Sequence, residues 1–132
     1  MNHDEFLTKY SETVIRALKS SEKARRGGLL ALEEDLDEEK VNKRDIFEYG
    51  LRFVVDGTDG RLIRSVLENI INQENDKYKK TLINIQKEAV LSIQAGDNPR
   101  VIFNKLNSFT DLSLTDDPGA KVLDEVISNL NQ

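Results

Sequence analysis

Apolar residues in this chain recur at three- and four-residue steps and almost nowhere alternate with polar ones. That spacing gathers them on one side of a 3.6-residue helix and gives no strand an inward face, so the pattern supports helices alone. Phe6, Leu7, Tyr10, Val14, Ile15 and Leu18 form the first stripe. Ile46, Phe47, Gly50, Leu51, Val54 and Val55 form another inside "NKRDIFEYGLRFVVDG". The "RFVV" within it would suit a strand in isolation, but its flanks are helical. Leu62, Ile63, Val66, Leu67, Ile70 and Ile71 make a third stripe, and Leu82, Ile85, Ala89 and Ile93 a fourth.

Stop and start signals divide these stripes. Gly57 closes one helix as a C-cap glycine, and Thr58 is placed to cap the next, with Asp59 in its first turn. Gly96 closes a later helix; Asp97 or Asn98 then opens another, with Pro99 in its first turn. Asp117 and Pro118 repeat that device before a final amphipathic stretch, read as core packing. The polar run "NQENDKYKK" at 72–80 holds no aliphatic residue and no evident helix breaker. One long helix is therefore predicted across about 58–95. The expected fold is all-α: one domain over residues 1–132, a small bundle of five to six helices.

A formal net charge of -5 argues against nucleic acid as the main partner, which would need a basic face. Without cysteine there is no disulfide framework, thiol chemistry or Cys-based zinc site. The longest apolar run, "GGLLAL", falls far short of the roughly 20 residues a membrane helix needs. The acidic, polar start "MNHDEFLTKY" is unlike a secretory leader, so a cytoplasmic, soluble chain is expected.

Little here suggests catalysis. The lone histidine, His3, reads as solvated, and the acids from Glu33 to Glu39 read as a solvated face rather than a paired-carboxylate site. "DGTDG" at 56–60 lacks the alternate oxygen ligands and closing glutamate of a calcium loop. Neither a phosphate-cradling glycine loop nor a nucleophile–histidine pair can be assembled. No enzyme, metal or cofactor is expected.

The stretch "ARRGGLLALEEDLDEE" at 24–39 stands out, because a plain amphipathic helix gains nothing from a Gly-Gly pair at its centre. Gly27 and Gly28 are read as a structural hinge, with a short acidic helix after them and "LLAL" packed onto the bundle. Arg25 and Glu33 stand eight residues apart across it, which in a straight helix is about 12 Å along nearly the same side. With a bend between them, both charges would project from a corner; two unrelated surface charges is the plainer reading.

Three strings, "EKARRGGLLALEE", "FEYGLRFVVDGTDGRLIRSVLENII" and "LSIQAGDNPRVIFNKLNSF", resemble stretches of the flagellar stator protein family MotA, in family order and over about half the chain. The resemblance implies that residues 1–71 match the cytoplasmic loop between the family's second and third membrane helices. Residues 81–132 would follow the fourth, and 72–80 would be a polar junction where the membrane hairpin is lacking. It also implies a rotor-facing role: contact with the switch-complex protein FliG that passes torque, with a MotB-type subunit and further MotA copies as partners of the full-length family. The family's rotor-contact charges, an arginine before the glycines and a glutamate eight residues later, fall on Arg25 and Glu33, with Arg26 adjacent. Ion conduction is not expected, because the membrane helices that perform it are lacking. The alternative is a natural soluble, MotA-like adaptor or regulator of the motor.

Overall fold

The computed structural model describes residues Met1–Gln132. Seven α-helices and one 3-10 helix form, and no strand: α1 (His3–Gly27), the 3-10 helix (Leu29–Asp35), α2 (Glu38–Asn42), α3 (Ile46–Val55), α4 (Gly60–Ile71), α5 (Lys77–Ala95), α6 (Pro99–Asn107) and α7 (Ala120–Leu130). The all-α expectation holds, with more helical segments than the five to six expected.

The two longest helices, α1 and α5, form the centre and pack on each other. The 3-10 helix, α6 and α7 lie against α1, while α3, α4 and α6 lie against α5. One contiguous cluster of buried apolar residues draws on every element except α2. Tyr10, Val14, Ala17 and Leu18 of α1 meet it, as do Ile85, Ala89 and Val90 of α5, all with no exposed surface. Gly50 marks a close crossing of α3 and α5: a Cβ there would lie 2.9 Å from a methyl of Val90.

The single helix expected over 58–95 does not form; α4 ends at Ile71 and α5 begins at Lys77. Acid and amide side chains make the break without any proline or glycine. The Glu74 carboxylate accepts from the backbone N–H groups of Asn75 and Asp76, both at 3.1 Å. Asp76 then takes an extended backbone and caps α5 by accepting from the Lys79 N–H at 2.9 Å. Its carboxylate also accepts from the Met1 ammonium at 2.7 Å, and these donors hold its pKa below the usual value. Such caps compete well with helix continuation in a stretch that buries nothing.

Thr58 does not take the capping place expected of it, and of Asp97 and Asn98 only the second caps. Asp59, not Thr58, caps α4, accepting from the Arg61 N–H at 2.8 Å. Thr58 instead donates its N–H to the Phe53 carbonyl, while Gly57 at φ 78° donates to Val54; the two bonds close α3 in a Schellman motif. Asn98, not Asp97, caps α6, accepting from the Val101 N–H with Pro99 in the first turn. Asp97 instead accepts from the Ser92 hydroxyl at 2.8 Å and pairs with Lys105 at 3.5 Å. Gly96, at φ 75°, closes α5.

Asp117 does not cap α7, whose N-cap is Gly119 with no side-chain bond. It is buried instead, accepting from the Tyr10 hydroxyl, from Asn107 Nδ2 at 3.0 Å and from the Gly119 N–H at 2.8 Å. The loop before α7 is thereby fastened to α1.

Candidate functional site

The corner that carries the charges is built by one backbone conformation. Gly27 is the last residue of α1. Gly28 follows at φ 87°, ψ 166°, a region essentially reserved for glycine, and its N–H still closes the helix by donating to the Ala24 carbonyl at 2.8 Å. The chain then tightens into the 3-10 helix rather than an α-helix, so residues three apart eclipse.

That geometry sorts the stretch into three rows. Leu29 and Leu32 face inward, Leu32 with 1% exposure. Ala31 and Glu34 turn toward α1, where Ala31 Cβ lies 3.2 Å from the position a Cβ on Gly27 would take and Glu34 pairs with Lys23. Leu30 and Glu33 make the third row and are exposed. "LLAL" therefore packs only in part: Leu30 is 71% exposed, because the three-residue period turns it away from its neighbours.

Arg25 and Arg26 are both exposed, and each rests on the end of another helix. Arg25 donates to the Gly96 carbonyl at 2.9 Å, just past α5, and Arg26 to the Asn129 carbonyl of α7 at 3.2 Å. Both carbonyls lie at a helix C-terminus, where a cation is favoured. Glu33 faces Arg52 of α3 at 3.5 Å, and Arg52 also binds Glu38 and, at 3.5 Å, Asp56. The bond to Glu38 above all raises the Arg52 pKa, and those to Asp35 and then Glu34 raise that of Lys23. Arg25 and Glu33 thus engage different helices and form no ion pair with each other.

The support behind this corner was not read from the sequence. Glu48 has 1% exposure yet carries a carboxylate; it accepts from Arg16 and from the Asp37 N–H at 3.1 Å. Arg16 also donates to the Asp35 carbonyl at 3.4 Å and lies over the Phe47 ring at 4.9 Å; its burial lowers its pKa. The pair pins the link between the 3-10 helix and α2, at Asp35 and Asp37, to α1 and α3. A signal was present: Glu48 shares the inward helical phase of Leu51 and Val55.

No group of three or more His, Asp and Glu side chains is arranged to hold a metal, and no helix is long and apolar enough to cross a membrane. The corner offers two cations and an anion in water, on a backbone tied down from both sides. That arrangement can make a charged contact that forms and releases quickly.

No family model matches the chain, and no solved structure matches it significantly. Among curated proteins, the motility protein A of Treponema phagedenis is 39% identical over 81 residues, covering 61% of this chain and 30% of that protein. The motility protein A of Treponema pallidum (strain Nichols) is 36% identical over the same length and shares. That of Borreliella burgdorferi is 42% identical over 59 residues, 45% of this chain and 22% of that protein. The chain thus spans less than a third of the length of the relatives it matches. These matches, in agreement with the three strings in its sequence, relate the chain to the motility protein A (MotA) family.

Proposed function

We propose that this chain is the rotor-facing, cytoplasmic module of a flagellar stator, an interaction protein rather than an enzyme. Arg25, Arg26 and Glu33 contact the switch-complex protein FliG and transmit torque. In this reading residues 1–132 act as one domain: 1–71 correspond to a stator's cytoplasmic loop, 72–80 to a junction and 81–132 to its C-terminal tail. A MotB-type subunit and further MotA copies are partners of the whole assembly. The observation that carries the reading is the corner itself. Charges of opposite sign stand exposed on either side of Gly28, each braced by a different helix. Exposed ion pairs contribute only about 0–1 kcal/mol each and are screened by salt, which suits contacts that must be made and broken repeatedly.

The test is a binding titration of the chain against the C-terminal domain of FliG, at low and moderate salt. Parent, Arg25→Glu and Glu33→Lys are compared, with circular dichroism to check the fold. The reading expects weak binding that salt reduces and either reversal abolishes. Binding indifferent to both reversals removes the named residues from the interface.

A soluble adaptor of the motor is the second reading, favoured by the short turn at 72–76 that closes α4 onto α5. It expects the same corner to bind FliG while the chain stays in the soluble fraction of cells containing a MotB-type subunit. The stator reading expects association with that subunit.

A further inference from the structure

The corner holds more than charge. Leu30 has the largest exposure of any large hydrophobic residue in the chain, 71%, and it shares the outward row of the 3-10 helix with Glu33. In a 3-10 helix residues i and i+3 eclipse at a rise of about 2 Å per residue, so the two side chains stand one above the other, about 6 Å apart along the axis. The arginines of the last turn of α1 lie on the other side of the Gly28 turn.

We propose that Leu30 is an apolar anchor of the partner-contact surface, and that the matching partner surface presents an apolar recess between an acidic and a basic side chain. The acid faces Arg25 and Arg26, and the base faces Glu33. The inference rests on the reading of the corner as the rotor contact and adds to it the chemistry of the partner's surface. A lone exposed leucine needs no explanation elsewhere on a protein. This one is set apart by where it is held. Its row is fixed by a glycine-only turn on one side and by the pinning of Asp35 and Asp37 on the other. The backbone that presents it is already ordered, so little freedom is lost when it is covered. Charges of both signs flank it, which gives a complementary surface a single orientation in which to dock.

An apolar anchor also behaves differently from its charged neighbours: salt screens ion pairs and leaves apolar contact unscreened. The experiment uses that difference. Parent, Leu30→Ala, Arg25→Glu, Glu33→Lys and Leu62→Ala are titrated against the FliG C-terminal domain at low and moderate salt. Leu62, 61% exposed on α4, is the control for loss of an exposed leucine. The expected result is a Kd raised about tenfold by Leu30→Ala at both salt concentrations, with Leu62→Ala within about twofold of parent and unfolding midpoints unchanged. If the charge reversals abolish binding while Leu30→Ala binds like parent, Leu30 is a bystander and the anchor is refuted, leaving the rotor reading intact. If Leu30→Ala weakens binding only at low salt, it acts by misplacing Glu33, and the anchor is again refuted. If the parent does not bind at all, the rotor reading fails and the anchor with it.

Discussion

Replacing the two glycines of the corner one at a time separates a glycine that is required from one that is merely present. Gly28 holds φ 87° and ψ 166°, where an L side chain clashes with its own backbone, although nothing else lies within 4 Å of its Cβ position. The penalty is thus conformational, about 1–3 kcal/mol, with no packing gain to offset it. Gly27 is helical, so alanine there gains up to about 1 kcal/mol of helix propensity. Its Cβ would meet Ala31 Cβ at 3.2 Å, a contact tight enough to cancel much of that gain. Unfolding entropy near 60 °C is about 2.1 cal/mol/K per residue, or roughly 0.28 kcal/mol/K for a chain of this size. Gly28→Ala should therefore lower the thermal midpoint by roughly 4–11 °C, while Gly27→Ala moves it by no more than about 3 °C. Thermal unfolding followed by circular dichroism reads both. An unchanged midpoint for Gly28→Ala, or a larger loss for Gly27→Ala, would refute the assignment of the corner to Gly28.

Other perturbations test the surrounding scaffold. Glu48→Ala strands Arg16 and the Asp37 N–H, and should cost about 2–4 kcal/mol in urea unfolding, below the top of the range for a broken buried pair because Arg16 keeps part of its surface in water; a loss under about 1 kcal/mol would mean the pair is not structural. Gly50→Ala should lose about 1–2 kcal/mol net, because the overlap with the stiff, buried Val90 outweighs the gain in helix propensity; a stabilised variant would show that α3 and α5 can move apart freely. Tyr10→Phe removes a donor from the buried Asp117 carboxylate and should cost about 1–3 kcal/mol at neutral pH. Burial first, then the bond to Asp117, raise the Tyr10 pKa well above the usual phenol value. The folded chain therefore keeps a proton that the unfolded chain releases above about pH 10, so stability falls with pH beyond that point by roughly 1.4 kcal/mol per unit. Urea midpoints between neutral pH and pH 11 should fall less steeply for Tyr10→Phe; parallel slopes would contradict the assignment.

The helices were legible because their burial follows one period. Ile63, Leu67 and Ile71 are buried where the α4 stripe put them. The gap at 72–80 was legible as a gap but not as a turn, because the break is made by the carboxylates of Glu74 and Asp76, ordinary residues in a helix until they fold back on nearby N–H groups. A similar ambiguity shifted the α4 cap by one residue, from Thr58 to Asp59, and left the α6 cap open between Asp97 and Asn98. The string "LLAL" was read as packing together, whereas only Leu29 and Leu32 of its leucines turn inward and Leu30 does not; a local change of period to three leaves no mark in composition. Asp117 was hidden for another reason. Its partners, Tyr10 and Asn107, come from distant parts of the chain, and only the tertiary fold brings them together.

The turn between α4 and α5 also bears on how such a chain can lengthen or shorten. Five residues join the two helices, so Ile71 and Lys77 must emerge side by side on one edge of the bundle. A pair of antiparallel helices that leaves the bundle and returns needs neighbouring attachment points of this kind. Such a pair could be added or removed here without rethreading the chain, changing its handedness or parting α4 from α5. The entropic cost of a longer closure grows only logarithmically with its length. At this point in the fold, topology is indifferent to what the connection contains.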